Sequence, residues 1–397
     1  MKKLTVKLFS VLTITASVMT SCSSNDVSVN PSPSTFVANP NDFQGVITTG
    51  EITLDASKTY KLTGKIQVND GATLTIPAGT IIEGTGGTAS YIAVAQGGKI
   101  NVNGTAAKPV VMTSGKAAKN GGDWGGLVIC GKAPINRISG GASTAQSEVG
   151  DLTYGGTVAN DNSGSIKYLR IEYAGALFNA DKEFNGLSLF GVGSGTTISY
   201  VELYHGSDDG VEFFGGTVNT DHIISIGNED DQFDWTEGWS GTNTEWYGKL
   251  DFGKGNRGIE ADNFEGGFGF APIANPTITN LTLVGPGSTA NATAFAENQA
   301  MKLRRGTKGI FTNVYIKGWA TGFDIEHDET LAFVGTALKV VGLTIDSDVP
   351  TITKGKTTAG ASATISASFY TTAVNTGAGN GAGMPSWAAG WAVGFAL

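Results

Sequence analysis

Carboxylates that recur at a fixed interval are the first sign of chemistry in this chain. The run Asp208-Asp209-Gly210-Val211-Glu212 is matched 22 residues later by Asp230-Asp231-Gln232-Phe233-Asp234, and Glu260 follows in a third copy of the same strand. If the repeats stack, Glu212, Asp234 and Glu260 lie about 5 Å apart. At an effective dielectric near 20, each neighbouring pair then repels by about 3 kcal/mol, and by under 1 if fully solvated. A proton, a base such as Arg257 or Lys302, or a bound cation must relieve that crowding. Clusters rich in carboxylate oxygen suit calcium. The candidate metal ligands are therefore Asp208, Asp209, Glu212, Asp230, Asp231, Asp234 and Glu260. The two Asp pairs have an equally good alternative role, capping turns through their own backbone.

Further along, the same position alternates in sign. Glu260 and Asp262 are followed by Lys302 and Arg304, then by Asp324 and Glu326. Alternation of this kind is what a structural salt-bridge ladder requires. If the face is catalytic instead, its acids and bases are Glu212, Asp234, Glu260, Lys302 and Arg304. Phe214, Trp239, Trp246 and Tyr247 gather beside it in sequence and are the candidates for holding a sugar ring. His205, His222 and His327 show no metal-ligand spacing and are read as structural. Gly191-Val192-Gly193-Ser194-Gly195 is turn chemistry, since no following helix supports a phosphate site.

The elements that must position these residues are short strands. The chain holds 58 glycines and only 11 prolines, and no long helical periodicity interrupts the alternating segments. The strand recurs as Gly186-Leu187-Ser188-Leu189, Gly258-Ile259-Glu260-Ala261, Ala300-Met301-Lys302-Leu303 and Gly322-Phe323-Asp324-Ile325. A second strand type precedes each, as in Ile166 to Ile171, Ile198 to Leu203, Ile278 to Leu283 and Ile310 to Ile316. A period near 22 with several strands per repeat predicts an all-β, single-stranded, right-handed parallel β-helix. One coil cannot bury its own apolar side, whereas stacked coils form continuous apolar ladders. Leu187, Val211, Phe233, Ile259, Met301 and Phe323 should then point inward, together with Leu189, Phe213, Trp235, Ala261, Leu303 and Ile325. The spacing from Asp234 to Glu260 is 26 rather than 22, so an insertion is expected there, holding Trp239 and Trp246.

The ends carry a different signal. Lys2, Lys3 and Lys7 precede a moderately apolar run from Leu8 to Met19, too short to span a bilayer permanently. It closes on Met19-Thr20-Ser21-Cys22, which resembles a bacterial lipobox in which Cys22 becomes the lipid-bearing residue. The organisation expected is a signal peptide over residues 1–21, a Ser-, Asn- and Pro-rich tether over 22–44, and a β-helix over 45–397. Removing the leader leaves 23 basic against 35 acidic residues, a formal charge near −12. Nucleic acid, whose phosphates demand positive charge, is a poor partner for such a chain. Cys130 is then the only cysteine in the body, within the apolar run Leu127-Val128-Ile129-Cys130, and is expected to be a small core residue.

Several longer phrases carry a resemblance. DDGVEFFGG (208–216), DDQFDWTEGW (230–239), RGIEAD (257–262), NPTITNLTLVG (275–285), MKLRRGT (301–307) and GATLTIPAGTIIEG (71–84) resemble a family of Bacteroidota-type surface lipoproteins. The resemblance implies a β-helix body, a lipid anchor and an outer-membrane location facing the exterior; it implies no reaction. Two enzyme comparisons can be weighed. Pectate-lyase-like β-helices place calcium-binding acids and a basic residue on an outward strand, as Glu212, Asp234, Glu260, Lys302 and Arg304 would. Polygalacturonase-like β-helices carry Asn-Thr-Asp and Asp-Asp on successive coils, but here Asn219-Thr220-Asp221 precedes Asp230-Asp231 by well under one coil. The expectation is a non-enzymatic binding or accessory lipoprotein for a polymer, a glycan above all, or for an outer-membrane transporter. The alternative is a polysaccharide lyase or glycoside hydrolase working on the same face.

Overall fold

In the computed structural model, residues 35–140, 143–180, 182–250 and 253–395 are described; the leader and the lipid anchor expected at Cys22 lie outside them. Twenty-four strands join one sheet, and every pairing within it is parallel. The chain is thus a parallel β-helix. Val211 pairs with Leu187 on one side and Phe233 on the other, then Ile259, Met301 and Phe323 continue the column. All twelve side chains assigned inward are buried in one continuous core. Residue period 2 decides this: a one-residue slip would turn every apolar side chain outward.

The second strand of each coil is bent at one residue. Lys167 pairs with Ser199 and Leu169 with Val201, while Tyr168 and Tyr200 between them are skipped. The same gap recurs at His222, Glu245, Asn280 and Asn313. All six have positive φ, between 51° and 60°. A single left-handed residue turns the strand through a corner, so that the residues on either side of it, such as Ile198 and Val201, both face the core. Such a conformation is disfavoured for most side chains, and lateral contacts offset that cost. The Tyr168 and Tyr200 rings stack at 4.4 Å, Tyr200 and His222 at 4.3 Å, and Asn313 donates to Asn280 at 3.1 Å.

Three excursions cover the outside of the coils. The segment between Cys130 and Gly164 leaves the helix and carries an antiparallel hairpin, Thr144–Gln146 with Thr153–Gly155. Asn136 within it donates to Asn263 Oδ1 at 2.8 Å and to the Pro272 carbonyl at 2.9 Å, which ties it to a loop between Asn263 and Ala274. The C-terminal segment folds back over Ile224, Ile226 and Tyr247, packing Ala378, Ala388 and Trp391 against them. Glu202, fully buried there, accepts from the backbone N–H groups of Val393 and Gly394.

Candidate functional site

The outward column runs Ser188, Glu212, Asp234, Glu260, Lys302, Asp324, Lys354 in register. A second column lies one turn away. Backbone bonds from Gly186 to Asp209, from Gly210 to Asp231 and from Gln232 to Arg257 align Asn185, Asp209, Asp231 and Arg257. Asp209 Oδ1 accepts from the Asp231 N–H at 2.9 Å, and Asp231 Oδ1 from the Arg257 N–H at 2.8 Å. The turn-capping role expected for the Asp pairs is therefore present for Asp209 and Asp231, each reaching one coil further along. Asp209, Asp231 and Asp234 each bring an oxygen within 4.8 Å of the others, as do Asp208, Asp209 and Asp230, although Asp231 Oδ2 also accepts from Arg257 at 3.2 Å.

Downstream, bases neutralise the column. Arg257 reaches Glu260 at 2.6 Å, Asp231 at 3.2 Å and Glu297 at 2.7 Å. Arg304 pairs with Glu260 and, at 2.8 Å, with Asp262, which also holds Arg305 at 2.6 Å. Lys354 and Lys356 do the same for Asp324 and Glu326. Glu260, Lys302 and Arg304, singled out as site residues from the sequence, thus belong to a salt-bridge network. Glu260, held by two arginines, is the weakest of the proposed metal ligands.

Upstream, Glu212 and Asp234 form no such ion pair among the described residues, and Asp231 shares Arg257 with Glu260 and Glu297. Glu212 accepts one bond, from Asn185 Nδ2 at 2.8 Å. Asp234 makes no hydrogen bond or ion pair among the described residues. Burial first, then neighbouring carboxylates, hold Glu212, Asp234, Asp209 and Asp231 well above the usual carboxylate range. Asp208 is pushed up to about 8 by burial and by Asp230.

The outward face is not open surface. The excursions roof Glu212 and Asp234 into a cavity of about 260 Å³. Glu148, Arg137 and Tyr154 come from the first cover, and Phe264, Glu265 and Arg305 line the other side. Glu237 joins them from the end of its strand. Tyr154 donates to Glu237 at 2.7 Å and Arg137 lies 3.2 Å from it, yet burial still lifts this carboxyl to about 7. Its φ is 55°, at the corner where the preceding coils use Gly191 and Gly215. That replacement, Thr236-Glu237-Gly238 where Phe214-Gly215-Gly216 stood, was the one sequence signal for Glu237. Arg137, Glu148 and Tyr154 carried none, because their segment has no strand period.

The aromatic candidates divide. Phe214 does line the cavity, stacked on Phe190 at 4.0 Å. Trp239 and Trp246 do not: both are 0% exposed, and Tyr247 is 1% exposed. Trp246 pairs with Ile223 and Leu281, which puts it in an inward column where it stacks on Phe233 at 4.4 Å. Trp239 stacks on Phe213 at 3.9 Å and donates to the Val218 carbonyl. Tyr247 lies under the C-terminal segment and donates to Ala382 O at 2.7 Å. A proximity in sequence was mistaken for one on the surface. Cys130 is buried as expected, but between helix and cover with Tyr154 and Phe190, where burial pushes its thiol up to about 12. The three histidines sit at corner residues with positive φ, His205 stacking on Tyr204 at 3.9 Å.

Fold and site together define a parallel β-helix with a covered acidic cavity on one face. The chain belongs to the pectate-lyase like beta helix domain family, which it matches over residues 45–392. Among solved structures it is similar to the enzymatically active domain of tailspike protein 2 from bacteriophage CBA120, at 12% identity and a TM-score of 0.25. That similarity covers 74% of this chain and 39% of the other. The full-length tailspike protein 2, from an Escherichia coli O157:H7 bacteriophage, is similar at 11% identity and a TM-score of 0.19, over 71% and 35% of the two chains. No curated protein matches the chain.

Proposed function

We propose that the chain is a surface-exposed lipoprotein, anchored in the outer membrane through Cys22, whose acidic face binds a polysaccharide with the help of a calcium ion. The observation that carries this reading is the uncompensated upstream half of the acidic column, opening into a roofed cavity. A protein that only needed a stable ladder would place a base there, as this one does for Glu260, Asp262, Asp324 and Glu326 downstream. Asp209, Asp231 and Asp234 supply oxygens close enough to share one hard cation, and such an ion would offer its free positions to sugar hydroxyls or carboxylates. The lipobox-like run supports the anchor, and an outer-membrane transporter is the natural protein partner for a module so placed.

Calcium that binds only the folded state raises its stability by about 2.7 kcal/mol at a hundredfold excess over Kd. The expected result is a higher melting temperature in calcium than in chelator, with most of the shift lost in Asp234→Asn. In chelator the same variant should match or exceed wild type, because it removes an unpaired charge. A melting temperature indifferent to both calcium and chelator would remove the ion. Failure to retain any member of a panel of acidic, neutral and basic polysaccharides would remove the polymer.

The second reading, a polysaccharide lyase or glycoside hydrolase, draws on carboxyls lifted toward neutrality, such as Glu237, close to Arg305. Release of shortened products from the same panel decides between them.

A further inference from the structure

Carboxyls outnumber donors at the roofed cavity, where seven of them face two arginines and the hydroxyls of Tyr154 and Thr236. Its two arginines are engaged: Arg137 with Glu237 and Tyr154, Arg305 with Asp262. Among the described residues Asp234 makes no hydrogen bond or ion pair, although Arg304 acts on its charge from nearby, and Glu212 accepts from Asn185. Asn185, which donates that bond, is 2% exposed and is not part of the cavity wall. A partner that carries positive charge and donates N–H bonds would satisfy these carboxyls. Aromatic walls narrow the choice. The Phe190–Phe214 stack and Phe264 border the same space, and a ring face beside carboxylates favours an organic ammonium, which gains from both. The mouth is marked by Glu265, whose side chain is 73% exposed, so a group carried on a larger molecule can enter.

We infer that the cavity receives a primary ammonium group presented by a deacetylated amino-sugar unit of a polysaccharide. This rests on the polysaccharide-binding reading above and names its substrate class. A uronic acid would bring an eighth carboxylate to a cavity lined by Glu148, Glu212, Asp234, Glu237, Glu260, Asp262 and Glu265. A neutral sugar would leave the repulsion between Glu212 and Asp234 in place. An ammonium relieves it. The site shares Asp234 with the calcium cluster, but Glu148 and Phe214 line the cavity and belong to neither acidic triad, so substitutions there act on the cavity alone.

The test is calorimetric titration of the full-length folded protein with glucosamine oligosaccharides, their N-acetylated counterparts and oligogalacturonate, each in calcium and in chelator. The glucosamine form should bind at least about tenfold more tightly than the acetylated one, since a charged donor is lost on acetylation. That preference should survive the chelator. Glu148→Gln should remove most of it. Phe214→Leu should weaken it as well, and serves if Glu148→Gln fails to fold. Equal binding of the two forms, or tighter binding of oligogalacturonate, would overturn the inference while leaving polysaccharide binding in place. No binding by any of the three would overturn both.

Discussion

The two halves of one outward column differ in who stands beside each acid. Upstream, Glu212 and Asp234 face a cavity and form no ion pair among the described residues. Downstream, Glu260, Asp262, Asp324 and Glu326 are clasped by Arg257, Arg304, Arg305, Lys354 and Lys356. The strand and its register are shared, but downstream the outward positions bring in bases, Lys302, Arg304 and Lys354, and Arg257 reaches across from the neighbouring turn. Neutralised acids hold the coils together, whereas unneutralised acids are held in place by a core and a roof that they do not themselves stabilise. Such an arrangement persists only where the surrounding fold over-determines it, which is why strain and function tend to coincide.

The comparison can be broken most forcefully at Arg257, which is buried and holds Asp231, Glu260 and Glu297. Arg257→Leu leaves Asp231 without its cation and takes one of two from Glu260 and Glu297, and should cost about 3–5 kcal/mol in denaturant unfolding. A loss below about 1 kcal/mol would mean that the downstream column does not depend on its bases.

A pH series separates the halves by sign. Glu237, lifted by burial to about 7 from an ordinary 4.5, favours the folded state fully below pH 4.5 and loses that contribution as pH rises through 7. Glu202, buried under the C-terminal segment, behaves in the same way. Glu297 runs the other way: Arg257 and Lys302 hold it down at about 2 despite partial burial, so its contribution is present above pH 4.5 and lost toward pH 2. The melting temperature should therefore peak near pH 5 and fall by a few degrees toward pH 8. Glu237→Gln should flatten the alkaline side alone. A wild-type profile still rising at pH 8 would contradict the raised upstream carboxyls.

The smallest effect is expected at Thr236, which lines the cavity but makes no side-chain hydrogen bond among the described residues. Thr236→Ala should cost under about 1 kcal/mol in the same unfolding assay, as partly exposed substitutions do. A cost comparable with that of Arg257→Leu would mean that the cavity wall is part of the core.

Much of this molecule could be read from residue order. The 22-residue register from Glu212 to Asp234 and the 26-residue step to Glu260 appear in the structure as strand pairs. The extra residues of that longer step fall mostly after Trp246, which keeps its place in an inward column. Alternation fixed the faces, because side chains on a strand have only two directions to choose from. Trp239 and Trp246 were misplaced for a related reason. They follow the first strand of the coil, where spacing counted from Asp234 no longer applies, and the left-handed corner at Glu245 resets which residues face inward.

What the sequence determined by itself is the repeat, the inward ladders and the stack of like charges, since each follows from local periodicity repeated at a constant interval. Which of those charges are neutralised, and which are roofed over, was decided only in three dimensions. Arg137, Glu148 and Tyr154 meet Glu212, Asp234 and Glu237 across 60 to 100 residues of chain. No period connects them, because the cover is an irregular excursion packed on a regular solenoid. Its position depends on tertiary contacts such as Asn136 with Asn263, and the burial that lifts Glu237 to about 7 comes from that packing.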